Sequence, residues 1–143
     1  MAIRRILVAV DGSEPSFNAS EYAIDLAKIN VAELIVLSIV SPKASSKYDM
    51  GRMTDIEKTA MAVAQQEVDQ VKQKASGKEV SVKTEVLVKY TSVIKEIVEY
   101  AEMMNIDMIV IGSKGKSGFK KLLLGSIASG VVTYSHCPVL VVK

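Results

Sequence analysis

The sequence predicts an α/β domain, a five-stranded parallel sheet with helices on both faces. Three observations carry that expectation. Short runs such as 6–10 (ILVAV) and 33–40 (ELIVLSIV) are apolar on both faces, as strands buried in a parallel sheet are. Between such runs lie longer stretches whose apolar residues recur at helical spacing. The two kinds alternate along the chain, and alternation calls for right-handed crossovers that place helices on either side of the sheet.

Residues 3–10 (IRRILVAV) form the first expected strand, ended by Asp11-Gly12-Ser13. Ser13 can cap a helix, and Glu14 and Pro15 suit its first turn. Ala19, Ala23, Leu26 and Ile29 then mark the inner face of that helix. Residues 33–40 make the second strand, and 41–52 (SPKASSKYDMGR) a polar loop. A long helix follows, with Ile56, Ala60, Ala64, Val68, Val71 and Ala75 on one stripe, and it stops near Ser76-Gly77. In 79–88 (EVSVKTEVLV) the side chains alternate, which suits a sheet-edge strand partly open to water. Thr91 or Ser92 caps the next helix, whose apolar face is Ile94, Ile97, Val98 and Ala101. Residues 107–111 (DMIVI) are the fourth strand, stopped by Gly112. A basic loop leads to a last helix beginning near Gly125-Ser126, and 138–143 (PVLVVK) is the fifth strand. With no repeat, low-complexity tract or linker in 1–143, one domain is expected.

Composition narrows the classes of function. A chain of 143 residues buries roughly 68–70% of its unfolded surface, so neither disulfides nor metals are needed to hold it. A net charge of +2 gives no ground for nucleic acid or membrane as a partner. The apolar runs are strand-length, far short of a transmembrane span. Residues 6–10 are too short for a signal-peptide core, and the one cysteine, Cys137, has no internal partner. A reducing cytoplasm is the expected location.

The stretch that carries chemistry is Gly112-Ser113-Lys114-Gly115, nine residues, then Gly125-Ser126. It follows a buried strand and leads into a helix. Ligands in doubly wound sheets sit at the carboxyl ends of strands, where the chain order reverses. Glycine permits close approach of backbone to ligand, and a helix N-terminus offers unpaired N–H groups to a phosphate. Ser113 and Ser126 add hydroxyl donors; Lys114, Lys116, Lys120 and Lys121 raise the local positive potential. Two better-known phosphate motifs are excluded. A Walker A loop ending at Lys116-Ser117 needs glycine at 110, where Val110 stands. The G-x-G-x-x-G pattern is broken by Ser113 and Lys114 between Gly112 and Gly115.

Gly112-x2-Gly115-x9-Gly125-Ser126 resembles the nucleotide signature of the universal stress protein family, in its ATP-binding branch. The opening ILVAVDGS, the strand DMIVIGS, the stretch LLLGSIASGVV and the ending HCPVLVVK resemble that family too, so the likeness spans the chain. It implies a Rossmann-like sheet of order 3-2-1-4-5, of the adenine nucleotide alpha hydrolase-like kind. By the same resemblance, Asp11 holds the ribose, its carboxylate accepting from both hydroxyls. Val40 meets the adenine edge by its backbone, and Ala9 and Val10 line the adenosine side. Gly112, Ser113, Gly115, Lys116, Gly125 and Ser126 surround the phosphates, and Ile127 adds its N–H. ATP is the implied ligand, with Mg or Mn carried by the nucleotide, since no cluster of His, Cys or carboxylates would bind an ion alone. The fifth strand pairs with its copy in a homodimer.

Plainer readings stand beside these. Asp11 before Gly12 is also an ordinary turn residue, and Gly112 and Gly125 also serve as a strand stop and a helix start. The lysines fit a solvated loop. His136 and Cys137 lie at the amino end of strand five, away from the expected ligand edge, and His136 is placed to meet helix carbonyls. The loop 41–52 is either a lid over the nucleotide or a surface connection. Hydrolysis needs a base or positioned water and charge stabilisation, and no free carboxylate or glutamine is aimed at the γ-phosphate, so slow turnover at most is expected. The function expected is therefore an ATP-dependent switch or sensor in stress response, acting through an unidentified protein partner. The alternative is a slow ATPase or nucleotide-transferring enzyme.

Overall fold

In the computed structural model, which describes residues 2–42, 55–114 and 124–143, the β-branched runs form strands and the periodic stretches between them form helices. The order is β1 Arg5–Ala9, α1 Glu14–Asn30, β2 Glu33–Val40, α2 Asp55–Gly77, β3 Val82–Val88, α3 Val93–Met103, β4 Met108–Gly112, α4 Ser126–Tyr134 and β5 Val139–Val142. The five strands make one parallel sheet of order β3-β2-β1-β4-β5, as expected.

Strand alternation divides the core in two. Ile6, Val8 and Val10 turn toward α1 and α2, joined by Leu34, Val36, Val110, Ala23, Val68 and Val71. Leu7, Ile35, Leu37, Ile109 and Ile111 turn the other way, against Ile97, Ala101, Ala128 and Val131 of α3 and α4. Both faces of the central strands are thus covered by helices, which is why those strands read as continuous apolar runs.

Three local expectations are corrected. Ile29 and Ile56 were placed on inner helix faces, yet they are 78% and 82% exposed. The buried stripe of α1 runs through Ala19, Ser20, Ala23, Ile24 and Ala27, small residues that let the helix approach the sheet, and Ile29 falls outside it. In α2 the stripe begins at Glu57, so the first turn points the neighbouring Ile56 to solvent. Residues 79 and 80 belong to the turn closing α2 and not to β3: Glu79 has φ 60°, and the Val80 N–H donates to Ala75 O at 2.9 Å. That bond satisfies a helix-end carbonyl that would otherwise lack a partner.

The sheet edges differ. β3 carries Lys83 and Glu85 among its valines, charges of the kind that blunt an edge. β5 reads VLVV without interruption. The Pro138 and Val142 carbonyls accept from Ile109 and Ser113 of the β4 side, so Val139 and Val141 point their N–H and C=O outward. Among the described residues, no helix is long and apolar enough to cross a membrane.

Candidate functional site

β1 lies at the centre of the sheet between β2 and β4. From its carboxyl end the chain passes through α1 to β2 on one side, whereas β4 is followed by α4 and β5 on the other. The ends of β1 and β4 therefore flank a crevice where the winding reverses. The helices that follow these two strands directly, α1 and α4, begin beside it.

The α1 end is closed by its own residues. Ser13 is the N-cap, and its Oγ accepts from the Ser16 N–H at 3.3 Å. Ser16 Oγ donates to Ser13 O at 2.9 Å and accepts from the Asp11 N–H at 3.3 Å. Asp11 Oδ1 accepts from the Ser13 N–H at 2.9 Å. Gly12, between them, has φ +82°, a left-handed conformation that favours glycine. Glu67 of α2 fills the space a side chain there would take: an added Cβ would lie 1.8 Å from its Oε2. Pro15 supplies no N–H, and Glu14 places a negative charge in the first turn. An anion meets three carboxylates here, and most of the donors are already used.

The α4 end is open. Its N-cap is Gly125, without a side-chain cap, and no acidic residue stands in the first turn. Gly125 gives its own N–H to Ser113 O at 2.7 Å, and its carbonyl accepts from Ser129 at 3.0 Å. The N–H groups of Ser126, Ile127 and Ala128 have no hydrogen-bond partner among the described residues. They carry the positive end of the helix dipole. α1 leaves a single amide without a partner among the described residues, that of Glu14, beside carboxylates, whereas α4 leaves three with no acid in its first turn.

Backbone direction along β2 decides a third part of the site. Odd residues face β1: the Glu33 N–H donates to Arg4 O, and Leu37 O accepts from Val10, both at 2.9 Å. Even residues face β3: Leu34 donates to Ser81 O at 2.8 Å, and Val40 O accepts from Lys89 at 2.9 Å. β1 ends at Ala9, paired with Leu37, so it stops short of Ile39. The N–H and C=O of Ile39 therefore look into the crevice, one donor and one acceptor side by side. Val40, the position expected to present its backbone there, faces the opposite way.

The other expected residues sort as follows. The Val10 side chain is 3% exposed and belongs to the core under α1 and α2, so only its backbone reaches the crevice. Ala9 is half-buried against the α3 and α4 core, where Ile127 also packs. Ser113 is nearly buried; its N–H goes to Val142 O at 2.7 Å. Gly112 is close-packed: a Cβ would come within 2.8 Å of the Pro15 carbonyl carbon and 2.9 Å of the Ser16 nitrogen. Its lack of a side chain lets β4 meet the first turn of α1. Gly115, Lys116, Lys120, Lys121 and residues 43–54 lie outside the described residues. His136 is exposed, and the Cys137 N–H donates to Ser135 Oγ at 3.1 Å, at the amino end of β5. Ile39 and Ala128 at the crevice, and Ser16 buried behind it, are the residues that sequence reasoning missed. The spacing of Ser13 and Ser16 was visible in the chain, but strand direction was not.

Two tyrosines have displaced titration. Burial and then the hydrogen bond to Glu85 push the Tyr100 phenol well above its ordinary range. Tyr90, beyond the end of β3, donates to Glu57 Oε2 at 3.3 Å, and desolvation with that carboxylate holds it above its usual value. Among the described residues, no group of three His, Cys, Asp or Glu is arranged to hold a metal ion. A groove of about 500 Å³ between α3 and α4, lined by Ile94, Val98, Glu102 and Tyr134, contains none of the crevice groups named above.

The sequence model described as the universal stress protein family matches residues 2–143. The universal stress protein MJ0531 of Methanocaldococcus jannaschii is 37% identical over 142 residues, covering 98% of this chain and 82% of its own. The structure of universal stress protein UspA from Lactobacillus plantarum superposes with a TM-score of 0.87 at 25% identity, covering 100% of this chain and 99% of that one. A universal stress protein from Archaeoglobus fulgidus, solved in complex with dAMP, shares the fold with a TM-score of 0.75 at 21% identity over both full chains.

Proposed function

The chain belongs to the universal stress protein family, and from that premise we propose that it binds ATP in the crevice between β1 and β4. The observation that carries this reading is the contrast between the two helix ends. α1 is capped and faced by carboxylates, whereas α4 presents three amides without a partner among the described residues. A polyphosphate belongs at the second. Asp11 stands two residues beyond the carboxyl end of β1, the strand beside β4, where a carboxylate can accept from both ribose hydroxyls. Ile39 replaces Val40 as the backbone contact to adenine, its N–H and C=O matching an acceptor and a donor on the base edge. Gly112, Ser113, Gly115 and Lys116 continue the phosphate side. A nucleotide of the class held by the Archaeoglobus protein is the natural first ligand to test. A magnesium or manganese ion would arrive on the phosphates.

In this reading the protein is a nucleotide-dependent switch or sensor of the cytoplasm, acting through a protein partner. It works as a homodimer joined through the outward backbone groups of β5. Calorimetry with ATP, ADP and adenosine tests the binding. ATP is expected to bind, and Asp11→Ala to weaken ATP and adenosine alike by at least tenfold, the worth of one or two hydrogen bonds to a charged group. An unmutated protein that binds none of the three would end the proposal. Turnover of ATP, measured alongside, separates a switch from an enzyme.

A further inference from the structure

Ser16 lies in the first turn of α1, one helical turn from the crevice, and nothing above gives it a part in binding. It is 4% exposed, and its hydroxyl serves two masters at once. Ser16 Oγ accepts from the Asp11 N–H at 3.3 Å and donates to Ser13 O at 2.9 Å. The residue's own N–H is bound to Ser13 Oγ at 3.3 Å. The Asp11 carboxylate, in turn, accepts from the Ser13 N–H at 2.9 Å. The loop 11–13 is therefore tied at both ends to a single side chain. Gly12, at φ +82°, is the joint between them.

The backbone of Ser16 also meets the other half of the site. The Ser16 nitrogen would be 2.9 Å from a Cβ at Gly112, so β4 rests directly on this turn where the phosphate loop begins. Ser16 thus touches the strand end that carries the carboxylate and the strand end that leads to the phosphates. A cap alone needs only the Ser13 hydroxyl. The second bond, from Asp11 to Ser16, adds nothing to the helix ladder and sets the direction in which Asp11 leaves β1.

We propose that Ser16 is a positioning residue for ribose recognition, orienting Asp11 through its backbone N–H; this rests on the reading of Asp11 as the ribose carboxylate. The hydroxyl touches no ligand. Its loss frees the Asp11 backbone, and the carboxylate then pays an ordering cost on meeting the sugar. The effect is confined to ligands that carry ribose hydroxyls.

The test compares ATP with 2′,3′-dideoxy-ATP by calorimetry, in the unmutated protein and in Ser16→Ala, Ser16→Thr and Asp11→Ala, with circular dichroism to follow the fold. Ser16→Ala is expected to weaken ATP about tenfold, the worth of one hydrogen bond, and to leave the dideoxy analogue unchanged. Ser16→Thr keeps the hydroxyl and restores ATP affinity. Equal losses for both nucleotides in Ser16→Ala, or no loss for either, would reduce Ser16 to a structural cap and overturn the proposal. Asp11→Ala distinguishes the two ways of failing. If it discriminates between the nucleotides and Ser16→Ala does not, only the positioning role is lost. If Asp11→Ala does not discriminate, the ribose assignment itself falls, and the role of Ser16 with it.

Discussion

Gly125 donates its backbone N–H to the carbonyl of Ser113 across 2.7 Å, tying the start of α4 to the end of β4. The glycine amide is thereby spent on the fold, and the donors left for a phosphate are those of Ser126, Ile127 and Ala128. Ser126→Pro tests that division. Proline suits the first helical position, and Gly125, at φ −61° and ψ 157°, already has the conformation preferred before it. The variant is expected to keep its helix content and lose about tenfold or more in ATP affinity, the worth of a hydrogen bond to a charged group. Adenosine affinity stays the same. Unchanged ATP affinity in calorimetry, with the far-ultraviolet dichroism intact, would remove the phosphate from this helix end.

Gly112 is required by packing rather than by backbone conformation. A methyl group there would press on backbone atoms of Pro15 and Ser16 at 2.8–2.9 Å, and backbone cannot swing aside as a side-chain tip can. Gly112→Ala is expected to lower stability by about 1–3 kcal/mol, the range for overpacking a filled site. Urea unfolding measures it; a midpoint equal to that of the unmutated protein would contradict the close approach of β4 to α1.

The outward-facing groups of β5 give the proposed dimer a specific weakness. Val141 turns its N–H away from β4, so proline at 141 removes an edge donor and leaves the β4 ladder whole. Val141→Pro is expected to raise the dimer dissociation constant at least tenfold, as read by sedimentation at several concentrations, for the two copies of one lost hydrogen bond. An unmutated protein that sediments as a monomer would defeat the dimer.

Tyr100 gives stability a dependence on alkaline pH. Its hydroxyl donates to Glu85 on β3, and burial raises its pKa above the ordinary 10.0. A raised folded pKa means that the contribution is fully present below pH 10.0 and is lost as pH rises toward the folded value, because the unfolded chain ionises first. Tyr100→Phe is expected to cost about 1 kcal/mol near neutral pH, from the loss of a hydrogen bond to a half-buried carboxylate. It should also flatten the decline of stability above pH 10.0. Identical alkaline slopes for the two proteins in urea titrations would place the proton's stabilisation elsewhere.

Much of this architecture was legible in the chain because it depends on local patterns. The runs around Leu7, Ile35 and Ile109 are apolar on both faces, and only a covered parallel sheet buries both. Ser13 and Ser92 announced their helices because capping is a matter of adjacent residues. Strand order was read from a family resemblance, whereas the phosphate glycines were read from their place between a buried strand and a helix start, with the resemblance in support. The local reading failed where a helix's rotation about its axis mattered, as with Ile56 exposed and Glu57 buried.

The sequence by itself determined the elements, their parallel pairing partners through the family likeness, and the carboxylate and glycines assigned to the proposed site. Only the tertiary structure decided which backbone groups remain free there. Whether Ile39 or Val40 turns its backbone to the crevice depends on where β1 stops beside β2. The α1 end also meets Glu67, which lies 55 positions from Gly12 (67 − 12) yet packs against it, a contact no local pattern announces. A backbone N–H is chemically the same at almost every residue, so its availability is written in the register of neighbours and not in the residue's name.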